Sequence, residues 1–177
     1  MIIAHLPAGY LLSTWLQTHL PPAMRSSKAQ HFGLLGSVFP DFDLLYFYLL
    51  DDRQHHHHRY WPHLPVVWLV LSVLVLHGLW RRGHPVALGC ALMFLANVWL
   101  HLLLDSWVGD IWWLYPLFDQ PFALFQVPAG QNFWLWSFVG HWTFAAEIVL
   151  LILAFRYWQR NEHTAQTGSP SQPHRHP

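Results

Sequence analysis

The chain has 177 residues, of which 54% are hydrophobic and only 10% are charged, and it carries nine basic and nine acidic residues. This length suits one domain, and the charged fraction lies far below the roughly 25% of an ordinary soluble domain. The composition excludes a basic nucleic-acid-binding surface, and the single cysteine, Cys90, excludes a disulfide framework and a cysteine-based zinc site. The composition therefore indicates a membrane protein, and its 15 histidines are unusually many for one.

Five apolar stretches predict helices, so we expect an all-α, polytopic membrane bundle of about five helices. The first, at 5–20, ends before Pro21 and Pro22. No charged segment precedes it, so it lacks the signature of a cleavable signal peptide and we expect it to stay in the mature protein. The second, at 32–50, is interrupted by Pro40 and two aspartates. We expect both to be short, either spanning a thinned bilayer or lying partly in the interface.

The next two helices, at 64–80 and 85–104, give the clearest prediction. Each approaches the length of about 20 apolar residues that a membrane span needs, and only a short turn separates them. They therefore predict an antiparallel helical hairpin. A fifth helix at 134–155 contains one acidic residue, Glu147. We assign residues 1–160 to one membrane-embedded domain and expect the Gly-, Ser- and Pro-rich tail at 161–177 to be disordered.

The basic residues predict an orientation for this bundle. If all five helices cross the membrane, seven of the nine fall on one side, which the positive-inside rule assigns to the cytoplasm. The turn at 81–82 and the C-terminus would then be cytoplasmic, and the segments at 51–63 and 105–133 would face outward. The seven are Arg25, Lys28, Arg81, Arg82, Arg156, Arg160 and Arg175, and the other two are Arg53 and Arg59.

Histidines and aspartates gather on the outward side. His101 and Asp105 are four residues apart, so their side chains share one helix face and can bind one metal ion or bridge two. The hairpin brings His63, just before its first helix, to the same level. Asp41 and Asp43 in the Pro-Asp-Phe-Asp sequence need pairing or a metal inside an apolar run.

Two further histidines can reach this end of the bundle. His58 lies just before the hairpin, and His5 returns to the level of the Pro40 turn if the first two helices are antiparallel. Interpretations without a metal stay open. The pair on the hairpin helix can cap a buried helix end, the two aspartates can end a helix, and the histidine run at 55–58 can be a solvated loop.

In this order the motifs resemble the YbcI- and YdjM-type family of bacterial inner-membrane, metal-dependent hydrolases. The pattern is an early His, a P-D-x-D turn, an H-R-x-x-x-H element, an H-x-x-x-D helix and an aromatic–Pro segment, and it covers residues 5–125. The chain departs from the family's usual Gly-x-Thr after the H-R pair and from its usual Ser after the second His. The altered loop leaves His57 or His56 as alternatives to His58. Its residues are Tyr60, Trp61, Pro62 and Leu64.

The order of these residues is also similar, more distantly, to the ligand order of zinc-dependent phospholipase C and of the single-strand-specific zinc nucleases. Those enzymes continue with a His and a Glu, for which His141 and Glu147 are the candidates here. Their separation of six residues puts the two side chains on different faces of a straight helix. We therefore expect one or two divalent ions, zinc above all, rather than three.

The resemblance implies a membrane-bound hydrolase that uses a metal-activated water to cleave a phosphoester, either a lipid or a lipid-linked compound. It would act at the outer face of the bacterial inner membrane, with membrane lipid as its partner and no nucleic acid. The alternative is a metal-binding membrane protein without catalysis, acting in metal transport or sensing or as a scaffold with a structural metal.

The predicted site divides into two groups of ligands. Arg59 is expected to hold the phosphate, and Asp105 is expected to act in catalysis as well as in metal binding. Aromatic residues at 107–115 would surround an amphiphilic substrate. The first ion would be held by Asp43, His58, His101 and Asp105, and His5, Asp41 and His63 would hold a second ion or support the first.

Overall fold

The computed structural model describes residues 3–125 and 134–167, and these residues form seven α-helices joined by short 3-10 turns and loops. Within this part of the chain, β-pairing is limited to one isolated bridge between Ile111 and Phe122. The all-α prediction is confirmed. The helices are α1 (His5–His19), α2 (Ser27–Val38), α3 (Asp43–Leu49), α4 (Pro65–Arg81), α5 (Pro85–Asp105), α6 (Trp134–Val139) and α7 (Trp142–Thr167).

Two of the five expected helices are each broken in two, which corrects the predicted number. The helix expected at 32–50 divides at Pro40, and its two parts meet at an angle of 53°. Proline causes such breaks because it lacks an N–H group and its ring clashes with the preceding turn. The helix expected at 134–155 divides at Gly140 into α6 and α7. Residues 161–167 of the expected disordered tail belong to α7, and residues 168–177 lie outside the described residues.

The predicted helical hairpin is confirmed. Both α4 and α5 begin with proline at the first helical position, where its missing N–H group costs nothing. Gly83 in the turn between them has a left-handed backbone with φ of 67°, which glycine adopts without strain. Along the antiparallel pair, the indole of Trp99 donates to Ser72 Oγ at 3.2 Å. Trp68 packs with Leu102 in the buried core between the two helices.

Small residues allow α1, α2 and α5 to approach closely. A Cβ atom on Gly36 would lie 2.2 Å from the carbonyl oxygen of Phe94, so α2 and α5 touch at their backbones. A Cβ atom on Gly33 would meet Ser13 of α1 and Asn97 of α5. The amide of Asn97 also donates to Ser13 Oγ at 3.0 Å. Small residues and interhelical hydrogen bonds are the usual means by which helices associate in a membrane.

Among the described helices, α5 alone is long and apolar enough to cross a membrane by itself. The bent pair of α2 and the segment Pro40–Leu49 passes the same test together, and α4 is a shorter apolar helix of 17 residues. Large apolar side chains are exposed on other helices, including Leu74 of α4 at 65% and Phe155 of α7 at 53%. Such apolar surface is typical of a lipid-facing side. The multi-pass topology stays a prediction.

Replacing Gly36 with alanine should destabilise the protein, because the new Cβ atom would collide with the backbone of α5. Overpacking of this kind costs about 1–3 kcal/mol, so we expect a lower midpoint of thermal unfolding in detergent, followed by tryptophan fluorescence. Gly78→Ala is the matched control, since a Cβ atom there would meet nothing within 4 Å and should keep or raise the midpoint. An unchanged midpoint for Gly36→Ala would contradict the close packing of α2 on α5.

Candidate metal centre

The break after α2 brings two carboxylates to one end of the bundle. Pro40 starts a 3-10 turn, and α3 begins directly afterwards at Asp43. Asp43 is buried, with 6% of its surface exposed, whereas the side chain of Asp41 is 32% exposed. A second 3-10 turn, Trp61–His63, ends just before α4 and delivers His63 to the same end.

Four ligand atoms converge where α5 ends. Asp41, His63, His101 and Asp105 each offer one oxygen or nitrogen, and these four atoms all lie within 4.8 Å of one another. His101 Nε2 is 3.0 Å from Asp105 Oδ2 and 3.7 Å from Asp41 Oδ1, and His63 Nε2 is 3.5 Å from Asp105 Oδ2. Imidazole nitrogens and carboxylate oxygens are ligands that divalent ions such as zinc take in proteins. These side chains, here called the four-residue cluster, could therefore bind a metal ion.

Hydrogen bonds determine which nitrogen of each histidine faces the centre. His101 Nδ1 lies 2.8 Å from the carbonyl oxygen of Ser37, which can only accept, so this Nδ1 carries a proton and donates it. His63 Nδ1 is bonded to the carboxylate of Asp43. Both Nε2 atoms then point into the cluster and lie 3.3 Å apart. Two such nitrogens repel each other unless a proton or a metal ion lies between them, so the residues fit a cation.

The histidines in the 3-10 turns before α4 differ in their protonation. Burial opposes a positive charge on His63, but hydrogen bonds to Asp105 and Asp43 and their negative charges outweigh it and raise the pKa of His63 to about 9. Burial lowers the pKa of His57 to about 4, and the positive charge of His63 adds to this effect. Burial likewise holds the pKa of His58 well below its usual value, although Asp105 opposes the shift. His57 and His58 therefore present neutral imidazoles, the form that binds metals.

Two more of the predicted ligands contact the carboxylate of Asp105. His5 Nε2 is 3.1 Å from Asp105 Oδ1, and its ring stacks on that of His101 with centroids 3.8 Å apart. His58 Nε2 is 3.8 Å from Asp105 Oδ2, and its Nδ1 is 3.2 Å from the carbonyl oxygen of Asp110. The two oxygens of Asp105 thus face different histidines, an arrangement that could bridge two ions.

The structure divides the predicted ligands differently from the sequence analysis. Asp41, not Asp43, joins His101 and Asp105 in the four-residue cluster. Asp43 instead binds the far nitrogen of His63. A carboxylate behind a ligating histidine fixes the orientation of the ring and makes it more basic. Because both aspartates belong to one turn, their spacing alone could not show which of them faces the centre.

The structure shows Arg59, which is expected to hold a phosphate, bonded to a carboxylate of the protein, and its role in phosphate binding stays a prediction. Its Nη2 lies 2.9 Å from both carboxylate oxygens of Asp119, and its guanidinium stands 5.3 Å from the ring centroid of Trp112. The guanidinium is therefore already paired with a carboxylate. Asp119 lies 60 residues further along the chain in an irregular segment, where no sequence pattern connects it to Arg59.

A cleft of about 410 Å³ opens onto the cluster, and Asp41 and Asp105 both line it. The aromatic residues expected around the site at 107–115 do not form its walls. Trp113 instead packs against the hydrophobic core and donates to Ser106 Oγ at 2.8 Å. His57 and His58 also line the cleft, and its remaining walls come from Leu44, Phe47, Tyr48, Val108, Gly109 and Phe138.

Glu147 connects the last helix to the first. It is fully buried in α7, and its Oε2 accepts hydrogen bonds from the backbone N–H groups of Ile3 at 2.6 Å and Ala4 at 3.1 Å. It thereby holds the start of α1 in place. His141 Nδ1 lies 2.8 Å from Thr143 Oγ1. The four-residue cluster includes neither of these two candidates for a third ion.

The fold and the cluster define a class: an all-helical protein with a His–Asp site at the end of the described helix that is long and apolar enough to cross a membrane. A sequence model of the YdjM inner membrane protein family matches residues 1–163. The chain belongs to this family, which confirms the predicted membership of a YdjM-type inner-membrane family. Comparison with curated proteins and with solved structures gives no significant match.

Removing a member of the four-residue cluster should abolish stable metal binding. After incubation with zinc and removal of the excess in detergent, we expect wild-type protein to retain zinc and His101→Ala to lose it, because even indirect support of a ligand is worth about 10–100-fold in affinity. His77→Ala is the matched control, as His77 is exposed on α4 away from the cluster. Elemental analysis measures the content. Equal zinc in all three proteins would contradict the assignment of the cluster as a metal site.

Proposed function

We propose that the protein is a membrane-bound, metal-dependent hydrolase that cleaves a phosphoester of a lipid or lipid-linked substrate. The observation that supports this best is the cleft, because Asp41 and Asp105 belong to the four-residue cluster and also line a space of about 410 Å³. An ion in the cluster would have protein ligands on one side and room for water or substrate on the other. Catalytic zinc sites keep such an open position, whereas structural zinc sites are closed.

Hydrolysis would depend on ligands that are already oriented. A bound divalent ion lowers the pKa of a coordinated water to about 7 and polarises a phosphoryl oxygen. Asp43 and the carbonyl oxygen of Ser37 turn the Nε2 atoms of His63 and His101 toward the centre before any substrate arrives. Of the two cluster carboxylates that line the cleft, Asp41 is the more exposed, with 32% of its side chain accessible against 2% for Asp105, so water or substrate there would meet it first.

The walls of the cleft favour an amphiphilic substrate. Leu44, Phe47, Tyr48 and Phe138 supply apolar surface beside the carboxylates and histidines. A phosphoester group could approach the cluster while an apolar tail followed these walls. With Arg59 paired to Asp119, the positive charge that faces the phosphate would come from the bound ion rather than from this arginine.

We also propose that the cluster faces outward from the inner membrane. It lies where α5 ends, opposite the turn at 82–84 that joins α4 to α5. Arg81 and Arg82 mark that turn, and the positive-inside rule places basic turns in the cytoplasm. Phosphoester cleavage would then take place at the outer interface of the membrane.

Metal binding without catalysis is the alternative function. It is favoured by the surroundings of Asp105, where His5, His58, His63 and His101 could together enclose an ion and leave no open position. Transport is less well supported, because a transport path needs ligands through the depth of the membrane. Among the described residues, the one group of candidate ligands lies at one end of the bundle.

Zinc-loaded protein should release phosphate or a phosphorylated head group from lipid substrates in mixed micelles. The substrates to test are glycerophospholipids and a polyprenyl diphosphate. Release is measured by phosphorus NMR and by colorimetric phosphate detection. His101→Ala should lower the rate by at least about 100-fold, the usual worth of metal-generated base catalysis. Gly78→Ala should keep the wild-type rate. Wild-type protein that retains zinc but cleaves none of the substrates would favour the alternative.

The orientation is testable by cysteine labelling, since the chain has one cysteine. In a Cys90→Ala background, Asp52→Cys places a thiol in the exposed loop near the cluster, and Arg82→Cys places one in the exposed hairpin turn. A membrane-impermeant maleimide applied to intact spheroplasts should label the first and spare the second until the cells are lysed. The reverse pattern would overturn the proposed orientation.

A further inference from the structure

A second pocket, of about 400 Å³, is lined by Asp43 but by none of the four-residue cluster. Asp43 is the carboxylate that holds His63 from behind, so the pocket and the cluster share this one connection. Almost all other lining side chains are aromatic, and we call this space the aromatic pocket. Its lining consists of Phe39, Phe42, Asp43, Tyr46, Tyr60, Trp61 and Pro62.

The rings of the aromatic pocket stand at steep angles to one another. Tyr46 and Tyr60 meet at 79° with centroids 5.3 Å apart, and Phe39 and Phe42 meet at 70° with centroids 5.8 Å apart. Trp61 is inclined at 61° to Phe39. Rings arranged in this way bound a space on several sides rather than stacking into one layer. Their faces carry negative potential and attract organic cations.

A buried carboxylate oxygen supplies the charge that such a cation needs. Asp43 is 6% exposed, and its Oδ2 is bonded to His63 Nδ1. Its other oxygen, Oδ1, is buried, and no residue in the described part of the chain hydrogen-bonds to it. A buried acceptor without a hydrogen-bond partner is unfavourable, so a ligand that brings positive charge to Asp43 would stabilise the pocket.

The aromatic pocket is accessible from outside the protein. Phe42, Tyr46 and Trp61 are each exposed by 50–53%. Tryptophan and tyrosine favour the boundary between membrane and water, where their apolar bodies and polar tips are both accommodated. A group at the level of the lipid head groups could therefore enter it. A neutral apolar ligand would leave Asp43 Oδ1 unpaired, and an anion would be repelled by it.

We propose that the aromatic pocket binds the ammonium head group of a zwitterionic phospholipid, with the rings around the cation and Asp43 as its counter-charge. The proposal relies on the membrane location of the chain and not on hydrolysis, so the lipid held here need not be a substrate. Such a lipid would contact the turn that carries both Asp41 and Asp43.

Lipid retention tests the proposal. Full-length protein is taken from nanodiscs that contain equal amounts of phosphatidylethanolamine and phosphatidylglycerol with identical acyl chains, and the retained lipids are counted by native mass spectrometry. We expect wild-type protein to prefer phosphatidylethanolamine by about tenfold, the worth of a partly desolvated cation–π interaction. Trp61→Leu should lose this preference. Trp80→Leu, at an exposed tryptophan in α4, is the matched control and should keep it.

A second measurement uses wild-type protein alone, so it does not depend on the folding of a variant. Choline should displace the retained phosphatidylethanolamine, whereas its uncharged isostere 3,3-dimethylbutan-1-ol should displace it at least about tenfold less well. Zinc content of Trp61→Leu should match that of wild-type protein, which separates a failure of the pocket from a failure of the metal centre. No lipid preference in wild-type protein, an unaltered preference in Trp61→Leu, or equal displacement by the two compounds would overturn the proposal.

Discussion

The structure depends on how one buried carboxylate is compensated at the end of an apolar helix. Asp105 ends α5, the most membrane-like helix of the described chain, and an isolated charge there would cost several kcal/mol. Four histidine nitrogens lie within 3.0–3.8 Å of its oxygens, and one of them belongs to His63, whose pKa of about 9 gives that imidazole a positive charge. These come from α1, from the two 3-10 turns before α4, and from α5 itself. The close packing of α1, α2 and α5 at glycine and serine is what allows these elements to meet.

The turn after α2 contributes to both the cluster and the aromatic pocket, because its two aspartates, Asp41 and Asp43, face different sides. Asp41 faces the cleft and the four-residue cluster, whereas Asp43 binds His63 and lines the aromatic pocket. Pro40 makes this possible by ending α2 and starting a tighter turn. The carbonyl of Ser37 lies in the last turn of α2, where helix carbonyls lack helical partners, and it accepts the proton of His101 Nδ1 instead. A local interruption of one helix therefore supplies a ligand, two supporting groups and a wall of the second pocket.

The sequence predicts those features that depend on local spacing. Two apolar runs separated by a short turn predict the hairpin, and a separation of four residues predicts that His101 and Asp105 share a face. Features that depend on irregular segments are missed. The rotation of the Pro40 turn decides between Asp41 and Asp43, and no periodicity describes it. The pairing of Arg59 with Asp119 joins two loops 60 residues apart. The sequence around Arg59 therefore gives no sign that its guanidinium is paired with a carboxylate.

The four candidate ligands of the cluster lie at positions 41 to 105, and the neighbouring His5 extends this range almost to the start of the described chain. No short fragment of the polypeptide contains the whole coordination sphere. An ion would therefore bind the assembled bundle in strong preference to an unfolded or half-inserted chain, and by thermodynamic linkage it would favour the assembled state in return. Occupancy of the centre would then serve as a checkpoint for membrane assembly, and a cell short of the metal would face defective folding as well as lost function.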